Sequence, residues 1–236
     1  MGRGVRPITV TTTPDLFPGF EERLESLRDR IAAAAPDPDR VTLLAVTKGF
    51  GPEAVTRALS AGLGAVGENY ADELVAKAAA VADRPGPVPE WHFLGAIQRN
   101  KVPRLAPIVS CWQSVARIQE GRAIARRAPG TRVLVQVDVA GLPGRGGIRP
   151  EDTADLVAAL RGEELNVVGL MAVGMPGPPE GARPGFREVS RLADELGLDV
   201  RSMGMTDDLE VALSEGSTMI RIGRALFGDR PIRRPD

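Results

Sequence analysis

Lys48 stands directly after the apolar run Val41–Thr47. Side chains of a strand alternate, so Thr42, Leu44, Val46 and Lys48 share one face. If Leu44 and Val46 point into a core, Lys48 reaches the edge of a dry interior, where its ammonium is partly desolvated. Desolvation lowers the pKa of an amine and favours the neutral nucleophile that attacks aldehydes. The plainer alternative is a rim lysine whose stem covers apolar surface while its head stays in water. A second set of candidates lies near the C-terminus. Ser202-Met203-Gly204-Met205-Thr206 runs into Asp207 and Asp208, and Met219-Ile220-Arg221-Ile222-Gly223-Arg224 follows. Gly204 and Gly223 let a backbone approach an anion, Thr206 offers a hydroxyl and Arg224 a charge, a set that suits phosphate. Asp207 and Asp208 suit a helix start but would repel a phosphate lying on that same end. They are expected to point away, with phosphate nearer Gly223 and Arg224. Arg221 is a charge inside an apolar strand and needs a partner, either a carboxylate or a ligand acceptor.

Other positions are more ambiguous. Asn69, in Gly67-Glu68-Asn69-Tyr70, either orients a ligand substituent beside Lys48 or caps the next helix. His92 is the only histidine, and it reads either as a satisfied core residue or as a catalytic one. Gly141-Leu142-Pro143-Gly144-Arg145-Gly146-Gly147 matches neither the dinucleotide fingerprint nor the Walker pattern, and reads as a flexible loop. One histidine, one cysteine and no carboxylates at ligand spacing give no reason to expect a metal site.

These residues need a frame to bring them together. After a loose leader over 1–17, helical spacing of Leu24, Leu27 and Ile31 predicts an extra N-terminal helix over Phe20–Ala35. Strands are expected at Val41–Thr47, Ala65–Glu68, Trp91–Ala96, Ile108–Gln113, Val133–Val139, Val167–Val173, Val200–Met205 and Met219–Phe227. Helical segments fall between them at Pro52–Ala61, Tyr70–Val81, Ala116–Arg127, Asp152–Leu160, Arg187–Leu196 and Asp208–Glu215. A stubby helix is expected after Gln98, where Pro103 and Pro107 interrupt. Alternation of this kind means right-handed parallel units. About eight units predict an α/β fold, a single (β/α)8 TIM-type barrel over 18–230 with a tail over 231–236. An open doubly wound sheet is the alternative. Gly174–Gly185 reads as a long loop within the barrel. Barrels of this kind place function at strand C-terminal ends, with phosphate often held after strands seven and eight.

Composition narrows the classes. The chain has 236 residues and a formal net charge of −1, which argues against a general nucleic-acid binder. Cys111 is the only cysteine, so no internal disulfide can form; this fits a reducing cytosol, and a cytoplasmic location is expected. There is no signal-peptide run and no stretch of about 18 apolar residues, so no membrane association is expected. Met1-Gly2 is followed by Arg6 where a myristoylation motif wants Ser or Thr. The basic cluster Arg230, Arg233 and Arg234 reads as a solvated terminus.

Taken together, the motifs resemble the pyridoxal-phosphate homeostasis protein family, whose barrel is like the N-terminal domain of alanine racemase. The resemblance covers Val41 to Asp229. It rests on Leu44-Ala45-Val46-Thr47-Lys48, Gly67-Glu68-Asn69-Tyr70 and Trp91-His92-Phe93-Leu94-Gly95 followed by Gln98-Arg99-Asn100-Lys101. Further along it rests on Gly169-Leu170-Met171-Ala172, Ser202 to Asp208 and Arg221-Ile222-Gly223. It implies that Lys48 carries pyridoxal 5′-phosphate (PLP) as a Schiff base. It further implies that Arg221 faces the pyridine nitrogen, and that Ser202, Thr206, Gly223 and residue 224 hold the phosphate. Arg224 departs from the family, which usually has a small hydroxyl residue there, and Thr206 stands where Ser is common. The implied function is PLP homeostasis and supply by a monomer without strong catalysis, with PLP-dependent apo-enzymes as recipients. The alternative is an amino-acid racemase. Racemisation needs a base on each face of the substrate carbon. In alanine racemase the second base is a tyrosine from another domain, for which this chain is expected to have no room; its only tyrosine is Tyr70.

Overall fold

The computed structural model describes residues 16–230. Nearly all of the expected leader and all of the 231–236 tail, with Arg233 and Arg234, lie outside the described residues. Eight strands form the barrel: β1 (Thr42–Val46), β2 (Ala65–Glu68), β3 (Glu90–Phe93), β4 (Val109–Val115), β5 (Arg132–Val137), β6 (Asn166–Ala172), β7 (Val200–Ser202) and β8 (Met219–Ile222). They are parallel and closed in sequence order, with β8 returning to β1 through Leu44 opposite Arg221. Closure excludes the open-sheet alternative. The helices are α1 (Phe20–Ala34), α2 (Pro52–Ser60), α3 (Ala71–Val81), α4 (Val102–Leu105), α5 (Ile118–Ala125), α6 (Thr153–Gly162), α7 (Arg183–Glu195), α8 (Leu209–Ser214) and α9 (Arg224–Phe227). Among the described residues, no helix is long and apolar enough to cross a membrane.

The extra helix α1 buries Phe20, Leu24, Leu27 and Ile31, as the spacing requires, and packs on α8 and α9. Phe17, Phe20 and Phe50 surround Phe227 with ring centroids 5.2–5.6 Å from it. Such edge and tilted pairs add about 0.5–1.5 kcal/mol each beyond their burial. This cluster ties α1 and α9 to the turn that follows β1.

The strands divide their side chains as their period demands. Leu43, Ala45, Ile220 and Ile222 face the helices. The opposite face of the same strands fills the interior. There Gly67 leaves room for Leu44 and Leu94, whose atoms would lie 3.2 and 2.9 Å from a Cβ at that position. The interior is not wholly apolar. His92, Gln113, Ser202 and Arg221 are all buried. Gln113 on β4 meets Ser202 on β7, a contact between non-adjacent strands that passes through the barrel.

Four element ends differ from expectation by three residues or more. β8 stops at Ile222, and Arg224–Phe227 form α9 rather than more strand. Gly223 turns the chain, and its carbonyl accepts from the amides of Leu226 and Phe227 at 2.9 and 3.0 Å. α7 starts at Arg183, not Arg187, because Pro184 sits in its first turn, where a missing N–H costs nothing. The expected loop Gly174–Gly185 is therefore shorter, and a 3₁₀ turn at Pro179–Ala182 closes it. β3 ends at Phe93, with Gly95 packed so tightly that a Cβ would sit 1.8 Å from the Asn69 carbonyl oxygen. β7 is assigned only to Ser202, short of the expected Met205.

Candidate functional site

The C-terminal mouth of the barrel holds a cavity of about 330 Å³. Six of the residues singled out from the sequence line it: Lys48, Asn69, Thr206, Arg221, Gly223 and Arg224. Val46, Leu94, Met171 and Val173 form its apolar floor, while Arg230 and Asp207 add charge at its edge. Four cations against one carboxylate make this a site for an anion.

Lys48 extends from the turn after β1, on the same face as the buried Leu44 and Val46. The amine is pulled below its usual value by burial first, then by the positive charges of Arg230 and Arg221, with Glu68 opposing. This is the environment of a nucleophilic amine. Of the three lysines, Lys101 is bound to Asp72 at 3.1 Å on the surface and Lys77 lies buried against Glu68. Lys48 is the lysine whose side chain lines the cavity.

Arg221 is 6% exposed. Its Nη1 donates to the Ser202 carbonyl at 2.5 Å and to Ser202 Oγ at 2.9 Å, and its Nη2 donates to the Ala172 carbonyl at 2.7 Å. Its close partners are thus neutral, not the carboxylate of an ordinary ion pair. Burial pushes the guanidinium down to about 10, with Asp208 opposing, so the group stays charged at neutral pH.

A single file of hydrogen bonds leads from Arg221 to the far end of the barrel. Ser202 Oγ accepts from Arg221 and donates to Gln113 Oε1 at 2.7 Å. Gln113 Nε2 donates to His92 Nδ1 at 2.6 Å, which leaves Nε2–H of His92 to donate to Glu90 at 3.1 Å. Hydrogen bonds from His92 and then Arg132 hold the Glu90 carboxyl down at about 2. His92 is therefore the satisfied core residue, with both ring nitrogens engaged. Ser202 does not line the cavity; its hydroxyl is committed beneath Arg221.

The remaining candidates divide. Asn69 Oδ1 is buried without a hydrogen-bond partner among the described residues, an orphan acceptor at the cavity edge. Gly223 packs close to β1, where a Cβ would sit 3.2 Å from the Val46 carbonyl oxygen. Arg224 is exposed and half-buried Thr206 uses its carbonyl, not its hydroxyl, to accept from Arg30 at 3.1 Å. Gly204 does not line the cavity. Its φ of +90° and a position 2.6 Å from the Ala212 methyl explain the glycine. Asp208 turns back to accept from the Met205 amide at 2.7 Å, as expected, but Asp207 stays on the cavity edge. The orphan amide oxygen, the cation set and an amine held below its usual pKa together fit a phosphorylated aldehyde. Cys111 does not compete as a nucleophile, since burial pushes its thiol up to about 12.

Gln113, Glu68 and Lys77 are not marked as site residues by the sequence, and Arg230, read there as part of a solvated terminal cluster, lines the cavity instead. Gln113 carries the same signal as Arg221, a polar residue in an apolar strand. Lys77 sits three residues after Leu74 and four before Val81, on the buried face of α3.

The fold and site define a closed parallel barrel with a lysine after its first strand and an arginine in its last. The family described as "Alanine racemase, N-terminal domain" matches residues 22–231. The chain is 39% identical to the pyridoxal phosphate homeostasis protein of Pseudomonas aeruginosa over 217 residues, 89% of this chain and 93% of that one. It is 36% identical to the protein of the same name from Aquifex aeolicus over 229 residues, 89% of this chain and 97% of that one. The chain belongs to the family of pyridoxal phosphate homeostasis proteins. PipY of Synechococcus elongatus, solved with PLP bound, superposes with a TM-score of 0.77 at 31% identity, covering 89% of this chain and all of that one. An alanine racemase of Clostridium difficile shares the fold alone, with a TM-score of 0.72 at 13% identity; the chain spans 60% of that protein.

Proposed function

We propose that this protein binds PLP in the mouth cavity, holds it covalently on Lys48, and serves intracellular PLP supply without strong catalysis of its own. The observation that carries this reading is Lys48: an amine with a lowered pKa at the edge of a cation-rich cavity, in a chain similar to a PLP-bound structure. Bound in the cavity, PLP would supply an electrophilic aldehyde to the Lys48 amine. Arg221 would face the ring nitrogen and, holding its own proton, would leave that nitrogen without one, so that the ring would be a weaker electron sink suited to holding rather than turnover. Asn69 Oδ1 receives a ring substituent. Thr206, Gly223 and Arg224 hold the phosphate, while Ser202 acts through Arg221 rather than through the phosphate. One barrel domain over 18–230 carries these roles, in a cytoplasmic monomer that delivers PLP to apo-enzymes.

The racemase alternative has less support. Tyr70 is 59% exposed and lies outside the cavity lining, so it does not supply a second base on this chain. Borohydride reduction of PLP-treated protein followed by peptide mass analysis tests the proposal. A single adduct on Lys48 is expected, and Lys48→Ala abolishes it. An adduct on Lys77 or Lys101, or none, overturns the reading.

A further inference from the structure

Behind the Lys48 turn, on the helix side of the barrel, lies a buried ionic cluster that the binding reading leaves unexplained. Lys77 of α3 is 4% exposed and Glu68, at the end of β2, is fully buried. Lys77 Nζ donates to Glu68 Oε1 at 2.5 Å, to the Thr47 carbonyl at 2.7 Å and to Glu73 Oε2 at 3.3 Å. Thr47 Oγ1 donates to the same Glu68 oxygen at 2.6 Å. Glu73 Oε2 also accepts from the Gly49 amide at 2.8 Å. The residues before and after Lys48 are therefore both fastened to one charged cluster. Burying such charges is expensive, and apolar replacements of similar volume are often as stable. Stability alone gives no reason for a cluster here, and Glu68 Oε2 is even left without a partner among the described residues.

We propose that Lys77 is a positioning residue: through the Thr47 carbonyl, and through Glu73 on the Gly49 amide, it fixes the turn that aims the Lys48 amine into the cavity. The inference rests on the reading of Lys48 as the PLP lysine. Lys77 touches neither the cavity nor a bound aldehyde. It acts by restricting where the Lys48 backbone starts, and an error of about 1 Å at a reacting atom slows reaction by up to a hundredfold. Gly49 belongs to the same device. Its φ of +77° is a conformation that L side chains rarely adopt, and the Glu73 carboxylate receives the amide that this conformation presents.

The test follows the visible absorbance of the Lys48 adduct after mixing full-length protein with PLP, with thermal denaturation measured alongside. Lys77→Met keeps the stem and removes every donor; Lys77→Gln keeps a neutral donor. The double variant Glu68→Gln with Lys77→Met removes both buried charges. The expected order of attachment rates is wild type, then Lys77→Gln, then Lys77→Met slower by about ten- to a hundredfold. The double variant is expected to regain thermal stability over Lys77→Met while staying slow, which separates aim from folding. At saturation all are expected to carry PLP on Lys48. Attachment at the wild-type rate by folded Lys77→Met or by the double variant overturns the proposal. So does failure of both to fold, which assigns the cluster to stability. A wild-type protein that forms no Lys48 adduct defeats the parent reading instead, and that outcome is visible before any variant is made.

Discussion

The turn after β1 and the loop after β5 reach the mouth from opposite sides of an eight-stranded ring, and they are built in opposite ways. In the first, Thr47 is fully buried and donates its amide to Gly67, Phe50 closes back on Thr47, and Gly49 is held by Glu73. In the second, Gly141, Gly144 and Gly147 all have positive φ, and nothing lies within 4 Å of a Cβ at Gly141 or Gly144. That loop is closed at its base by the Asp138 amide on the Ile148 carbonyl and the Ile148 amide on the Gln136 carbonyl, both at 2.8 Å. Beyond the base it is attached through Gln136 to the Gly146 carbonyl at 2.7 Å, through Arg145 to the Gly174 carbonyl at 3.4 Å and through Asp138 to the amides of Ala140 and Gly141 at 3.2 and 3.0 Å. Buried bonds make one side part of the cooperative core, while sparse exposed bonds let the other open locally. The difference teaches where tolerance lies. On the proposed reading, the covalent anchor at Lys48 has a fixed start point, while the opposite rim can adapt to whatever enters or leaves.

The strongest test of the rigid side is Arg221→Ala, at the neighbour of β1. It leaves the Ala172 and Ser202 carbonyls without their donor, at about 1–3 kcal/mol for each orphaned group. Thermal melts are expected to fall, and PLP is expected to be retained poorly with a shifted visible spectrum. Fully loaded, spectrally unchanged protein from the folded fraction would reduce Arg221 to a structural role. Arg224→Ala ranks next. A charged hydrogen bond to phosphate contributes about 1.5–3 kcal/mol, so equilibrium titration should show PLP affinity weaker by about one to two powers of ten. Arg224→Thr should lose less, and unchanged affinity in Arg224→Ala would place the side chain in solvent.

A smaller effect concerns pH. The neutral amine is the reactive form, and Lys48 is held below the ordinary 10.5 by burial, then by Arg230 and Arg221. Attachment rate should therefore rise with pH around a midpoint below 10.5. Arg230→Gln removes one lowering charge, so the midpoint should move up and the rate at neutral pH should drop. A midpoint that moves down would contradict the electrostatic account. The smallest effect belongs to the flexible side. Gly144→Ala meets a φ of +80° and should cost about 1–2 kcal/mol of stability while the Lys48 attachment rate stays at the wild-type level. A slowed rate there would erase the contrast between the two rims.

Much of this was readable in advance for physical reasons. Alternation placed Leu44, Val46 and Lys48 on one face, and burial of the first two made the third a mouth residue. Arg221 stood out because a lone charge in an apolar strand must be satisfied. The end of β8 was misread because Ala225, Leu226 and Phe227 are apolar whether a chain is extended or turns into a short helix. The Glu68–Lys77 pair depends on how a strand end and a later helical turn approach each other, and Gln113 meets Ser202 from 89 positions away. No local pattern records either distance. Ser202 shows the limit most clearly: the family resemblance implies its hydroxyl on the phosphate, yet barrel closure turns it inward under Arg221.

The file of hydrogen bonds through the barrel has a consequence for proton traffic. Every member donates in the same direction, from the guanidinium at the mouth to the Glu90 carboxylate at the far face. A proton cannot travel from the Glu90 side to the mouth along this path unless the Ser202 hydroxyl rotates, the Gln113 amide flips and His92 changes tautomer together. An amide in the middle makes such concerted reversal slow. The interior is thus a wire blocked in one direction: acidity on the Glu90 side is not transmitted to the mouth, where Arg221 lines the cavity.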